Sequence, residues 1–271
     1  MNQTHGSING SSASWWQQAV VFGHDIKLSH SVFALPFALL AVFMAAASSL
    51  VYPDIFTVGL VVLCMVLART WAMGINRLAD AQLDAQNPRT AQRALPSGKL
   101  SRKFVRFLTV TCGVLFVVAT IGFMLLNHNP WPTILSPVAL FWLAAYSYTK
   151  RYTWLCHLWL GSSLALSPIA AAVATEPAYL GEWPVYLLAG MVMSWVAGFD
   201  IIYALQDVQV DRAQGLYSMP SRLGEKPALR LAGMLHITAW LLLVMLTLVS
   251  PVLSLGFAGG VVLVGALLVL E

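Results

Sequence analysis

The chain has 271 residues, of which 59% are hydrophobic and only 10% are charged. A soluble domain carries about 25% charged residues, so this composition excludes an ordinary soluble protein. Runs of about 18 or more nearly uncharged residues, each long enough to cross a bilayer, recur along the chain. The fold class predicted is therefore an all-α polytopic membrane protein, and the formal net charge of +4 indicates topology rather than nucleic-acid binding.

The N-terminus is polar up to Ser14 and is predicted to be a tail. Trp15 and Trp16 then precede a short apolar patch and a charged break, a pattern typical of a helix that lies at the membrane interface. The predicted organisation is a polar tail and interfacial segment over residues 1–24, followed by one integral membrane domain over residues 25–271.

Eight membrane spans are predicted from the apolar runs. They cover approximately residues 28–50, 56–76, 104–126, 131–149, 154–175, 183–205, 230–250 and 252–270. Every Lys and Arg except Arg69 falls on one side of these spans, while the opposite loops contain only the acids Asp54, Glu176 and Glu182. The positive-inside rule makes the basic side cytoplasmic. We therefore expect a multi-pass protein of the inner (cytoplasmic) membrane with its polar residues at the cytoplasmic face.

The end of the second span carries an acidic motif, NRLADAQLDAQNPRTAQRALPSG, which starts at Asn76. Arg69, Asn76, Asp80 and Asp84 recur at i, i+7, i+11 and i+15, which places them on one helical stripe. Carboxylates one turn apart repel each other and are costly to bury. Such an arrangement is favourable when a cation normally lies between them.

A second acidic motif, DIIYALQDVQVDRAQG, leaves the same face of the sixth span. Asp200, Tyr203, Asp207 and Asp211 fall at i, i+3, i+7 and i+11, again on one helical stripe. Each motif therefore contains a DxxxD pair that is extended inward by another polar residue. A single Asp at a helix end is usually a solvated cap, but two such motifs together favour a metal site.

Oxygen ligands with no nearby His or Cys suit a hard ion, so Mg²⁺ is expected, with Mn²⁺ as the alternative. Two clusters of this kind imply ions that clamp a polyanion such as a diphosphate. Arg89, Arg93, Lys150 and Arg151 lie on the same face and would neutralise the remaining phosphate charge. Long apolar helices around a diphosphate site indicate an isoprenoid diphosphate as the substrate.

These two motifs, with YSYTKRYTWL between them, closely resemble those of the UbiA-type intramembrane aromatic prenyltransferases. The resemblance extends over roughly residues 25 to 250, and SHSVFALPFALLA on the first span looks closest to the hydroxybenzoate and menaquinone branches. It implies a ring of eight to nine transmembrane helices around a central cavity. It also implies three sets of site residues: metal ligands Asn76, Asp80 and Asp84 in the first motif, Asp207 and Asp211 in the second, and a diphosphate-binding pair, Lys150 and Arg151.

The chain departs from the family pattern at two points. Many members carry Asp directly after the motif Asn, where this chain has Arg77, so one potential ligand is absent. The family typically has nine spans, one more than the eight counted here, and a ninth helix is expected to be missing or truncated at the C-terminus.

The function expected from the motifs and the resemblance is Mg²⁺-dependent transfer of a polyprenyl group to a small aromatic acid in ubiquinone or menaquinone synthesis. The acid would be 4-hydroxybenzoate or a dihydroxynaphthoate, and neither nucleic acid nor a protein partner is implied. Asp200 is a candidate for orienting or deprotonating the acceptor, or else for helix packing or a secondary metal contact. Arg69 would hold the carboxylate of the acceptor or pair internally with an Asp.

Three tyrosines, Tyr146, Tyr148 and Tyr203, are candidates for stabilising a carbocation through their ring faces. His30 and His157 are expected to be hydrogen-bonded structural groups. Two other functions are carried as alternatives: prenylation of a haem-type or chlorophyll-type acceptor, and transport of an ion or organic ion. Transporter sites tend to lie near the membrane midplane within repeated halves, whereas these carboxylates cluster at one face.

Overall fold

The computed structural model describes residues 14–26, 34–250, 252–253 and 255–270, and within them the regular secondary structure is entirely helical. Two short 3₁₀ segments, Pro177–Gly181 and Leu205–Asp207, flank the seventh α-helix. The α-helices are α1 (Trp15–Asp25), α2 (Leu35–Ser48), α3 (Ile55–Gln86), α4 (Arg102–Asn127), α5 (Trp131–Thr149), α6 (Cys156–Thr175), α7 (Trp183–Ala204), α8 (Val208–Ala213), α9 (Met219–Leu223), α10 (Glu225–Val249) and α11 (Leu255–Leu270).

Five helical segments among the described residues are long and apolar enough to cross a membrane. They are Ile55–Gln86, Arg102–Asn127, Cys156–Thr175, Trp183–Ala213 and Glu225–Val249. The helices α2 and α11 are apolar but shorter, and each of the eight predicted spans corresponds to one helix of the fold. The count of eight crossings stays a prediction, and the start of the first predicted span, with Lys27 and His30, lies outside the described residues.

Helix α3 is the longest element, with 32 residues, and it continues ten residues beyond the predicted end of its span. The Asp54 side chain caps its first turn by accepting hydrogen bonds from the backbone N–H groups of Phe56 and Thr57. The helix ends at Gln86, two residues before Pro88, because proline disfavours a helical residue ahead of it. The whole first acidic stripe therefore lies on one continuous helix, as predicted.

The second acidic stripe is less regular than predicted. The α-helix that carries Asp200 ends at Ala204, and the 3₁₀ segment Leu205–Asp207 separates it from α8 with Asp211. A 3₁₀ helix has about 3.0 residues per turn instead of 3.6, so the interruption rotates the chain roughly 60° further than an α-helix would over these three residues. The stripe thus bends at Asp207 and does not follow one straight helix.

The main apolar core lies between α2, α6, α7 and α10. Its fully buried members include Val42, Val185, Leu188 and Val192. Helix α6 approaches α7 closely at Gly161, where an added Cβ atom would lie 2.4 Å from the carbonyl oxygen of Met193. Because the obstacle is backbone, α7 would have to move to admit a side chain there.

Substituting Gly161→Ala is therefore expected to separate α6 from α7 and to destabilise the bundle by about 1–3 kcal/mol, the usual cost of overpacking. The matched control is Gly59→Ala, since Gly59 is exposed on α3 and an added Cβ there meets nothing within 4 Å. The apparent Tm in detergent should fall for the first variant and stay constant or rise slightly for the second. Equal Tm values for both variants would contradict this packing account.

Candidate active site

A polar cavity of about 350 Å³ lies where α3, α5, α6, α7 and α8 meet at one end of the bundle. It brings together eleven residues that the sequence singled out, from both acidic motifs and from the segments between them. These are Asn76, Asp80, Asp84, Arg89, Arg93, Tyr146, Lys150, Asp200, Tyr203, Asp207 and Asp211. The two acidic motifs therefore line a single cavity.

Asp80 is the most deeply buried acid of the first motif, with a relative exposure of 3%. Its Oδ2 accepts a hydrogen bond from Asn76 Nδ2 (3.0 Å) and lies 3.2 Å from Lys150 Nζ, while its Oδ1 lies 3.2 Å from Arg151 Nη2. Arg151 also donates to the backbone carbonyl oxygen of Ala79 at 2.7 Å. Two cations thus offset the desolvation of this carboxylate and its repulsion from Asp84.

Asp84 has its own cation from the segment that follows α3. Arg93 Nη1 donates to both carboxylate oxygens of Asp84 at 2.8 Å, and Thr90 Oγ1 donates to the Asp84 backbone carbonyl oxygen at 3.1 Å. We refer to residues 87–101, between α3 and α4, as the connecting loop. Arg93 thus holds the connecting loop against the last turn of α3.

Asp207, in the second motif, is bound by the same connecting loop. Arg89 donates to Asp207 through Nε at 2.9 Å and through Nη2, and Asn87 Nδ2 donates to Asp207 Oδ1 at 2.9 Å. Arg89 Nη1 also donates to the hydroxyl of Tyr203 at 3.0 Å. The hydrogen bond to Asp207 raises the pKa of Arg89 above its ordinary value. The loop therefore joins the two acidic motifs across the cavity.

Asp200 is held by His157, the second residue of α6, at a distance of 2.6 Å from His157 Nδ1 to Asp200 Oδ2. The backbone N–H of Met219 points at His157 Nε2 from 3.2 Å. Because Nε2 accepts this hydrogen bond, Nδ1 carries the ring proton and donates a hydrogen bond to Asp200. This agrees with the predicted structural role of His157, which the sequence did not connect to Asp200.

An apolar cavity of about 490 Å³ lies deeper in the bundle, among α3, α4, α5 and α6. Met73, Tyr146 and Leu160 line both cavities, so the two adjoin at these three residues. Arg69 lines the apolar cavity, and its Nε is buried without a hydrogen-bond partner. Within the described part of the chain Arg69 forms no ion pair, so the predicted alternative of internal pairing with an Asp is not found there.

The donor set of the polar cavity fits a hard divalent cation. Asp80 and Asp84 of the first motif and Asp207 and Asp211 of the second line this cavity with carboxylates, and Mg²⁺ binds through one or two carboxylates together with water and substrate phosphate. Among the residues described, no three acidic, His or Cys side chains are close enough to form a metal cluster by themselves. The oxygen of Asn76 accepts from Arg77 Nη1 at 3.2 Å, and the direct ligation predicted for Asn76 stays a prediction.

The lining of the polar cavity differs from the predicted set of residues in both directions. Arg151 reaches Asp80 from outside the cavity lining and lies 5.3 Å from the ring centre of Tyr148, which does not line the cavity either. Asn87, His157 and Arg77 line the cavity but were not predicted to do so. The only sequence signal for Asn87 is its place in the NPRT segment of the first motif.

The comparisons with known proteins agree with this arrangement. Residues 34–271 match the sequence profile of the UbiA prenyltransferase family. The chain is 34% identical over 184 residues to a 4-hydroxybenzoate octaprenyltransferase of Photobacterium profundum, covering 66% of this chain and 59% of the relative. It is 30% identical over 217 residues to the enzyme of the same name from Citrobacter koseri, covering 78% and 71%. The chain thus spans only part of the length of these curated relatives.

Solved structures share the fold. The apo structure of a UbiA homolog from Aeropyrum pernix K1 has a TM-score of 0.79 at 29% identity, covering 90% of this chain and 87% of that one. A UbiA homolog from Archaeoglobus fulgidus bound to DMAPP and Mg²⁺ has a TM-score of 0.70 at 17% identity, covering 92% and 84%. The predicted all-helical membrane fold is confirmed, and this integral membrane protein belongs to the UbiA prenyltransferase family.

Proposed function

We propose that this protein transfers a polyprenyl group from a polyprenyl diphosphate to the ring of a small aromatic carboxylic acid. The observation that carries the proposal is the juxtaposition of the two cavities. Carboxylates and cations line one, apolar side chains and the unpaired Arg69 line the other, and the two adjoin at Met73, Tyr146 and Leu160. A diphosphate with an isoprenoid tail has the same division of polarity.

The acceptor proposed is 4-hydroxybenzoate, and the product would enter ubiquinone synthesis. The curated relatives carry the name 4-hydroxybenzoate octaprenyltransferase, which favours this acid over a dihydroxynaphthoate. Arg69 supports a carboxylate acceptor, because a guanidinium with a buried, unsatisfied N–H in an apolar cavity binds a carboxylate favourably.

Mg²⁺ is the proposed cofactor, since the homolog from Archaeoglobus fulgidus is bound to DMAPP and Mg²⁺ and the carboxylates here suit the same ion. Asp80, Asp84, Asp207 and Asp211 would hold it, and it would supply Lewis-acid neutralisation of the diphosphate leaving group. Arg89, Arg93, Lys150 and Arg151 already pair with carboxylates in the site. When a cation neutralises these carboxylates, the four basic side chains can bind phosphate oxygens instead.

The chemistry would take place where the cavities adjoin. The C–O bond to the diphosphate breaks, the apolar walls exclude water from the allylic cation, and Tyr146, which lines both cavities, would stabilise that cation. A ring carbon of the acceptor then bonds to the prenyl carbon that carried the diphosphate. Asp200, with one oxygen held by the His157 N–H, accepts the ring proton and restores the aromatic ring.

The active site is proposed to face the cytoplasm from the inner membrane. Lys99, Arg102, Lys103 and Arg106 are exposed near the start of α4, at the end of the bundle that holds the polar cavity. Asp54 and Glu176 lie at the opposite end, where Ser49 donates to Glu176 at 2.9 Å. This distribution supports the orientation that the positive-inside rule predicts.

Replacing Asp80 or Asp207 by Asn is expected to lower prenyl transfer by at least about 10²-fold, because each change removes a negative charge from the cation site. The assay uses purified membranes, labelled polyprenyl diphosphate, Mg²⁺ and 4-hydroxybenzoate, with the product identified by mass. Glu182→Gln is the control, an exposed carboxylate at the opposite end of the bundle. Near-normal turnover in either Asp variant would remove that residue from the mechanism.

Arg69→Met should raise the KM for 4-hydroxybenzoate by about 10-fold to 100-fold, the range expected when a buried charged hydrogen bond is lost (about 1.5–3 kcal/mol). The KM for polyprenyl diphosphate should change much less, since Arg69 does not line the polar cavity proposed for the diphosphate. A phenol without the carboxylate should be used equally well by both enzymes. If Arg69→Met used that phenol less well than the wild type does, Arg69 would act on something other than the acceptor carboxylate.

A further inference from the structure

Helix α1 lies outside the family match, which begins at residue 34, yet it is bound to the acidic site. Phe22 and Ile26 are buried in an apolar cluster with Ala81 of α3 and with residues of the connecting loop and α4. Trp15 adds an edge-on contact with Phe104, with ring centres 5.5 Å apart. These contacts fix α1 beside the first acidic motif.

The same helix ends in a carboxylate that two site elements share. Asp25 Oδ2 accepts a hydrogen bond from Arg77 Nε at 2.8 Å, and Asp25 Oδ1 accepts one from the backbone N–H of Ala94 at 2.7 Å. Arg77 Nη2 also donates to the Asp25 carbonyl oxygen at 3.3 Å. The side chains of Arg77 and Asp25 are only 7% and 8% exposed, so this is a buried ion pair.

The contacts continue from Arg77 to the proposed cation ligand. Arg77 Nη1 donates to Asn76 Oδ1 at 3.2 Å, and Asn76 Nδ2 donates to Asp80 Oδ2 at 3.0 Å. The two ends of an amide differ, so a donor at the Asn76 oxygen favours the orientation in which its N–H₂ group faces Asp80. Arg77 supplies the donor to the Asn76 oxygen, and Asp25 holds the guanidinium group of Arg77 in place.

We propose that Asp25 is a positioning residue of the cation site, acting through Arg77 and Asn76 on Asp80 and through Ala94 on the connecting loop. The inference rests on the proposed function for the identity of the site. It also accounts for Arg77, which occupies a place where many family members carry an acid. Here the position supplies a structural cation that orients a ligand.

The test measures divalent-cation affinity directly. Binding of Mn²⁺ to the full-length protein in detergent is followed by electron paramagnetic resonance in the presence of inorganic diphosphate, with no acceptor present. Asp25→Asn should weaken Mn²⁺ binding about tenfold or more, the usual effect of disturbing a group that orients a metal ligand. The control is His24→Ala, the exposed neighbour on α1, which should bind Mn²⁺ as the wild type does.

A double variant separates positioning from simple stability. Asp25→Asn alone leaves Arg77 as an unpaired buried charge and should lower the Tm, whereas D25N/R77M removes both charges and should restore it. If Asp25 and Arg77 position Asn76, the double variant still binds Mn²⁺ weakly despite its recovered Tm. Recovery of both properties, or unchanged Mn²⁺ affinity in Asp25→Asn, would overturn the inference.

Failure of the proposed function has a different signature in the same experiments. A wild-type protein that binds Mn²⁺ and diphosphate but forms no prenylated product would contradict the proposed reaction. The dependence of that binding on Asp25 would be unaffected by this outcome. The two proposals can therefore fail separately.

Discussion

A carboxylate buried at the end of a membrane helix must be matched by a nearby cation, and this constraint organises the polar end of the bundle. Asp80 is matched by Lys150 and Arg151, Asp84 by Arg93, and Asp207 by Arg89. In each case the cation comes from a different segment of the chain than its acid. Neutralisation of charge thus also joins α3, the connecting loop and the start of α8 around one space.

In the proposed function, the two cavities would bind the two chemically different parts of one substrate, its diphosphate and its hydrocarbon tail. Cations and carboxylates line the cavity that we propose for a diphosphate, while apolar side chains of α3 to α6 line the one proposed for its hydrocarbon tail. Tyr146 lies at the boundary, where the bond between these two parts would break. A low-dielectric wall next to a charged pocket strengthens the electrostatic interactions within it, so in the proposed reaction the apolar cavity would contribute to the chemistry as well as to binding.

The sequence was informative wherever the signal was local. Hydrophobic runs predicted where the long apolar helices lie, although α3 continues ten residues beyond the predicted end of its span, and the i+4 and i+7 spacings placed the first acidic stripe on α3 correctly. The ion-pair partners were not predicted, because Asp25 and Arg77 lie 52 positions apart in the sequence, and Arg89 and Asp207 lie 118 positions apart. Such pairing depends on the tertiary fold, and helical spacing carries no information about it. The 3₁₀ interruption before α8 was also absent from the periodicity.

Because α3 is continuous, it fixes the distance along its axis between Arg69 and Asp80. Arg69 and Asp80 are eleven residues apart on this one uninterrupted helix, which at 1.5 Å per residue corresponds to about 16 Å along its axis. In the proposed function, α3 would therefore fix the separation between the group that binds the acceptor carboxylate and a carboxylate that holds the cation of the diphosphate. Inserting a single residue between positions 69 and 80 would lengthen this separation by about 1.5 Å and rotate the two side chains by about 100° relative to each other around the helix axis.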